Sequence, residues 1–156
     1  MFRHLLVPTD GSELSQLAVD QALEMASEIG AKVTFFHVQP SFYGRPDVAL
    51  YGEGLVLDPL LSDQFNKANA EYAESVLAQA KAKASAKGVS AAGATSVNAV
   101  IYEAILEAAS ENGCDLIFMA SHGRRGLAGL VLGSETQRVL THADLPVLVY
   151  PGRGQD

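Results

Sequence analysis

From Ala120 to Ser134 the chain reads Ala120-Ser121-His122-Gly123-Arg124-Arg125-Gly126-Leu127-Ala128-Gly129-Leu130-Val131-Leu132-Gly133-Ser134, with four glycines, two arginines, one histidine and no acid. That composition suits a small anion: glycines let backbone N–H groups come close, and the arginines supply charge and fork-shaped donors. The stretch follows the apolar run Leu116-Ile117-Phe118-Met119, which reads as a buried strand, and precedes a helix expected to begin near Ser134. Loop amides and a helix N-terminus can therefore converge on one phosphate-like group. Ser134 is expected both to cap that helix and to offer its hydroxyl to a phosphate or metal, with the amides of Glu135 and Thr136 aimed the same way. Blander readings stand beside these. Gly123 and Gly133 can be turn formers, while His122, Arg124 and Arg125 can be solvated loop groups. Gly126 and Gly129 lend mobility to the spacer.

The elements that must position this stretch alternate between two periods. Leu5-Leu6-Val7 reads as a short buried strand ended by Pro8. A helix follows with Leu14, Leu17, Ala18, Met25 and Ile29 on one face and Gly30 as its stop. Val33 to Val38 reads as a second buried strand. A long helix carries Leu61, Phe65, Ala68, Tyr72, Val76 and Ala80 and ends near Lys87-Gly88. A third strand is expected over Thr95–Val100, a helix from about Tyr102 to Asn112 with Gly113 after it, then the strand at Leu116 and a last one, Val147–Tyr150, entered through Pro146. Strands separated by helices imply a parallel sheet with helices on both faces and right-handed crossovers. Ligands of such sheets sit at the carboxyl ends of the strands, where the strand order reverses. That rule gathers Pro8-Thr9-Asp10, Val38-Gln39 and the 120–134 stretch on one rim. Residues 40–62 interrupt the rhythm with three prolines and three glycines; an insertion of this length acts as a lid or partner contact, or is a mobile segment without a ligand.

At 156 residues, 48% of them hydrophobic, the chain fits one domain, expected over residues 1–151 with a tail at 152–156. The net charge of −7 argues against a nucleic-acid or anionic-membrane surface, so the arginine pair serves a small anion rather than a polymer. No run approaches membrane-spanning length, and the start is too short in apolar residues for a secretory segment, so a soluble cytoplasmic protein is expected. Cys114 is the single cysteine; it excludes an intrachain disulfide and reads as an inert core thiol.

Two segments carry a family resemblance over the whole length. The opening Leu6-Val7-Pro8-Thr9-Asp10-Gly11-Ser12-Glu13 and the late Gly123, nine residues, Gly133, Ser134 resemble the universal stress protein family, in particular its nucleotide-binding branch. Ala120 stands where that pattern expects its first glycine. If the position requires a left-handed backbone, alanine costs about 1 kcal/mol or more. If only close approach is needed, one methyl must be accommodated, and neither cost cancels micromolar binding, worth about 8 kcal/mol.

The resemblance implies a three-layer α/β/α sandwich, Rossmann-like, with a five-stranded parallel sheet in the order 3-2-1-4-5. It also implies ATP, ADP or AMP as ligand, contacted by Pro8, Thr9, Asp10, Val38, Met119, Ala120, Ser121, His122, Gly123, Arg124, Arg125, Gly133, Ser134, Glu135 and Thr136. The backbone of Val38 would read the adenine edge. Asp10 has two compatible readings: a helix N-cap with Glu13 completing a capping box, or an acceptor for ribose hydroxyls and, with Ser134, a ligand of nucleotide-bound Mg2+. A homodimer through antiparallel pairing of Val147–Tyr150 is implied as well, read by an unknown regulatory partner. No Walker-type Gly-Lys-Ser/Thr loop follows the first strand and no general base is evident, so the function expected is nucleotide-dependent regulation in a stress response, with at most slow ATP hydrolysis. The rival reading is a nucleotide-free dimeric interaction protein of the same fold. A flavodoxin-like carrier would need a phosphate loop where this chain has Pro8-Thr9-Asp10-Gly11-Ser12.

Overall fold

A computed structural model of the chain describes residues 1–44, 59–122 and 132–152. Gly123, Arg124, Arg125, Gly126 and Gly129 lie outside the described residues, as do most of the 40–62 insertion and the tail beyond Gly152. In order, the elements are β1 (His4–Pro8), α1 (Glu13–Ile29), β2 (Lys32–Gln39), a 3-10 turn (Phe42–Gly44), α2 (Pro59–Ala86), β3 (Ala91–Val97), α3 (Ile101–Glu111), β4 (Leu116–Ala120), α4 (Ser134–His142) and β5 (Val147–Tyr150).

The sheet runs β3-β2-β1-β4-β5, parallel throughout. The expected order is thus observed, and the direction of winding reverses between β1 and β4. Period-two alternation explains why both faces are covered. Leu5 and Val7, Val33 and Phe35, and Leu116, Phe118 and Ala120 face α1 and α2. Leu6, Phe36, Ile117 and Met119 face α3 and α4. Leu5, Leu6, Val7, Phe35 and Ile117 are fully buried, and each such side chain contributes about 1.5–3 kcal/mol of transfer free energy.

Three features differ from the sequence pattern. Helix α1 buries Ser15, Ala18, Val19, Ala22, Leu23 and Ala26, whereas Leu17 and Ile29 of the expected stripe are exposed. Small residues let the helix lie close on the sheet, and the larger ones are displaced to its flanks. Strand β3 spans Ala91–Val97 rather than Thr95–Val100. Its first half, Ala91-Ala92-Gly93-Ala94, lacks β-branched residues, yet its backbone pairs in register with Val33–Phe36 of β2, with Ala91 packed on the core under α1 and α2 and Ala94 on the core under α3 and α4. Asn98 is needed beyond the strand, where its Oδ1 accepts the Val100 N–H at 2.8 Å ahead of α3. Helix α2 starts at Pro59, so Pro59–Ser62 belong to a helix rather than to the insertion; proline suits a first helical turn because that turn's N–H has no partner in the ladder.

Helix α2 is joined to α1 by Lys83 on Asp20 at 2.8 Å and by Lys87 on Glu24. Both pairs are partly exposed and add little beyond orientation.

Candidate functional site

The rim is built first by β1. Thr9 extends the β1–β2 pairing by one bond, its N–H donating to Phe36 O at 2.9 Å. Its carbonyl accepts from His37 Nδ1 at 2.8 Å. A carbonyl can only accept, so the His37 proton sits on Nδ1. The ring of Tyr72, from α2, packs edge-on against His37 with centroids 5.5 Å apart, and its hydroxyl donates to the Asp10 carbonyl at 2.8 Å. Between Asp10 and Ser12 the chain turns through Gly11 at φ 78°. A side chain there would place its Cβ 2.3 Å from the Tyr72 hydroxyl oxygen.

This turn corrects the capping expectation. Ser12, not Asp10, is the N-cap of α1, accepting the Ser15 N–H at 3.3 Å. Asp10 lies two residues too early, and its Oδ1 accepts the Ser12 N–H at 2.9 Å to close the turn. Glu13 is the first helical residue. The hydroxyl of Thr9, a buried residue, lies 3.1 Å from Ser15 Oγ. Pro8 is the last residue of β1, paired with Phe36.

Strand β2 contributes main chain rather than side chain. Successive strand residues direct their backbone groups to opposite neighbours. Phe36 O accepts from Thr9 on the β1 side, while Gln39 O accepts from Asn98, and His37 O from Thr95 Oγ1, on the β3 side. Val38 therefore directs its N–H and C=O toward β1, past the point where the β1 ladder ends at Thr9. Its side chain packs on the core under α3 and α4.

The third wall comes from β4. Met119 and Ala120 are both buried, on opposite faces of the sheet. Ala120 pairs with Tyr150 as ordinary strand, and among the described residues every positive φ belongs to glycine. The cost considered for a left-handed alanine does not arise here, because the backbone is extended strand, and the methyl points into the core under α1. Ser121 is held from several sides: its N–H donates to Tyr150 O at 2.9 Å, its carbonyl accepts the Gly133 N–H at 2.8 Å, and its hydroxyl lies 3.2 Å from His122 Nδ1. The chain thus leaves the sheet at His122 and returns beside the same residue. Gly133 fits this neck closely, since a Cβ on it would lie 3.1 Å from His122 Cα.

Helix α4 begins there. Gly133 is its N-cap and makes no side-chain cap, so Ser134 is the first helical residue and does not cap it, contrary to expectation. The residue before Ser134 reaches the cap position first because the neck bond fixes it there. The first helical bond runs from Gln137 N–H to Gly133 O at 3.0 Å. The amides of Ser134, Glu135 and Thr136 have no partner in the helical ladder, as in any first turn. Thr136 is buried and its hydroxyl donates to Ala120 O at 3.1 Å. The Glu135 carboxylate reaches across to α3, Oε2 accepting the Tyr102 N–H at 3.0 Å. Because β1 and β4 are neighbours, the turn past Pro8 and the neck past Ala120 stand side by side at the reversal of winding.

The universal stress protein family model matches residues 1–151. The chain belongs to that family. It is 34% identical to the universal stress protein YxiE of Bacillus subtilis, over 96% of this chain and 99% of that one. The fold is shared with the solved structure of MJ0577, a universal stress protein of Methanocaldococcus jannaschii, at a TM-score of 0.81, 23% identity and 99% coverage of both chains. A universal stress protein solved in complex with cAMP is 25% identical, with a TM-score of 0.66 over 96% of this chain and 97% of that one.

Two residues that shape the rim left little trace in the sequence. His37 stands inside an apolar strand and Tyr72 inside a helical stripe, so both read as core, although together they shape the Thr9–Gly11 turn. At the opposite end of the sheet the polar groups serve the fold. Asp115 is partly desolvated, but the N–H groups of His4 and Arg3 outweigh that and hold its carboxyl below the usual range. Burial and then Lys32 push the His4 imidazole below its ordinary value, and its Nε2 lies 2.8 Å from Thr34 Oγ1. Burial, followed by the charge of Asp115, pushes the Cys114 thiol up to about 11. Among the described residues no group of three or more His, Cys, Asp or Glu stands ready to hold a metal ion, and no helix is long and apolar enough to cross a membrane.

Proposed function

We propose that this universal stress protein binds ATP, or ADP or AMP, at the reversal between β1 and β4 and acts in the cytoplasm as a nucleotide-dependent regulatory module. The observation that carries the reading is the paired main-chain edge of Val38: one donor and one acceptor directed past the end of β1, the pattern an adenine edge complements. The neck at Ser121–Gly133 and the α4 amides of Ser134, Glu135 and Thr136 support phosphate binding at the other side of the same rim. The related protein solved with cAMP supports an adenine nucleotide as the class of ligand. Pro8, Thr9, Met119, Ala120, Ser121 and His122 line the reading between these ends, and Gly123, Arg124 and Arg125 belong to it from outside the described residues.

Asp10 and Ser134 are the proposed protein ligands of a nucleotide-bound Mg2+. Asp10 Oδ1 already accepts from Ser12, so the phosphates and water must supply most of the octahedral shell, as is usual for this ion. No catalytic residue is proposed. The buried methyl of Ala120 gives no ground for a blocked site, which disfavours the nucleotide-free alternative. The proposed homodimer forms through β5, an edge strand whose Leu148 is exposed.

Calorimetric titration with ATP, ADP and AMP, with and without Mg2+, tests the reading. Saturable 1:1 binding is expected, and no heat at millimolar ATP would end it. Ala120→Gly is expected to change affinity by less than about threefold, because the alanine is unstrained.

A further inference from the structure

We propose that Glu135 is a positioning residue for the phosphate end of this site. Its side chain holds the N-terminus of α4 against that of α3 and keeps its own charge away from the anion. The inference rests on the nucleotide reading above and sharpens it toward discrimination between a phosphate chain and a bare nucleoside.

The starting point is an apparent conflict. Glu135 is the second residue of α4, the turn whose amides would meet a phosphate, and a carboxylate free to swing over that turn would repel it. The structure removes the conflict by giving both carboxylate oxygens work elsewhere. Oε2 accepts the Tyr102 N–H at 3.0 Å, and Oε1 accepts from Arg138 Nη1 at 3.3 Å. Tyr102 is the second residue of α3, a helix whose own N-cap, Val100, offers no side-chain bond. Glu135 thus supplies from α4 the acceptor that α3 lacks.

The contact continues along the two helices. The Arg138 guanidinium lies over the Tyr102 ring, 5.9 Å from its centroid, and the rings of Tyr102 and His142 are 5.0 Å apart. Two helix N-termini therefore draw on one carboxylate, each favouring negative charge. Through this bridge the aim of the Ser134–Thr136 amides depends on α3. The Val38 edge, on β2, does not. Loss of the bridge should accordingly weaken the grip on phosphates and leave the grip on the nucleoside alone.

The test measures ATP and adenosine binding to the full chain and to Glu135→Ala, Glu135→Asp and Glu135→Gln, with thermal unfolding in parallel. Glu135→Ala is expected to weaken ATP about tenfold and adenosine less than twofold. Glu135→Asp, charged but too short for Tyr102, is expected to weaken ATP more than alanine does. In Glu135→Gln the amide oxygen still accepts the Tyr102 N–H, so ATP affinity is retained or improved. Equal losses for ATP and adenosine, or a Glu135→Gln variant as weak as Glu135→Ala, would overturn the proposal. ATP binding that survives Glu135→Ala sinks this inference alone, whereas an unaltered protein that ignores ATP sinks the nucleotide reading and the inference together.

Discussion

At Gly11 a single hydrogen atom decides the shape of the first rim turn. The residue combines φ 78° with a Tyr72 hydroxyl oxygen 2.3 Å from where a Cβ would stand. Left-handed strain costs an alanine about 1–2 kcal/mol, and displacing Tyr72 adds the loss of its bond to Asp10 O. Gly11→Ala is therefore expected to destabilise the fold by about 2–4 kcal/mol in urea titration, and to weaken nucleotide binding in calorimetry. Gly133 is a milder case, since its Cβ would meet His122 at 3.1 Å without backbone strain. Asp115 yields a pH prediction. Its folded carboxyl titrates below the unfolded one, so its contribution is complete above the unfolded value, about pH 4, and fades as pH falls through the folded one. Asp115→Asn should cost stability at pH 7 and progressively less toward pH 3; an undiminished difference at pH 3 would contradict this. Cys114, with its thiol pushed up to about 11, should react with iodoacetamide at pH 8 much more slowly than a free thiol.

At the scale of elements, α2 is the least economical part of the molecule. The Asn69 Nδ2 is buried with no hydrogen-bond partner among the described residues, on the same helix as Phe65, which packs against Phe42, and Tyr72, which holds the Asp10 turn. An unmet buried donor costs about 1–3 kcal/mol. Asn69→Leu, close in volume, is expected to raise stability by about 1 kcal/mol or more, read as a higher midpoint in thermal or urea unfolding; a lower midpoint would show that the amide makes a contribution the apolar side chain cannot replace. Strand β3 and helix α1 teach a related lesson. Both carry small residues at positions the elements need, so hydrophobic periodicity understates them: β3, starting with Ala91-Ala92-Gly93-Ala94, was expected four residues late at its start, and the buried stripe of α1 centres on alanines rather than on Leu17 and Ile29.

For the whole molecule, the exposed edge of β5 invites pairing, and the proposed dimer should appear in sedimentation equilibrium at micromolar concentration, with Leu148→Lys shifting it toward monomer. A chain that stays monomeric at high micromolar concentration would refute it. The alternation of strand and helix was legible because buried parallel strands are near-continuous apolar runs, and it led directly to a two-faced sheet and to a candidate ligand rim at the carboxyl ends of its strands. Gly133-Ser134 and Asp10 were legible as site candidates because their types and spacing match the family pattern, beside their ordinary uses as turn and cap residues. Their local roles were not. Which of Asp10 and Ser12 caps α1, why Gly133 rather than Ser134 caps α4, and where the Glu135 carboxylate goes are set by partners 12 to 62 residues away in the chain: Tyr72 on the Asp10 carbonyl, the Ser121 carbonyl on Gly133, and the Tyr102 N–H on Glu135. Local patterning determined which elements form and which residue types gather at the rim; only tertiary packing decided how each donor and acceptor is spent, because a polar group bonds whatever the fold brings within about 3 Å of it.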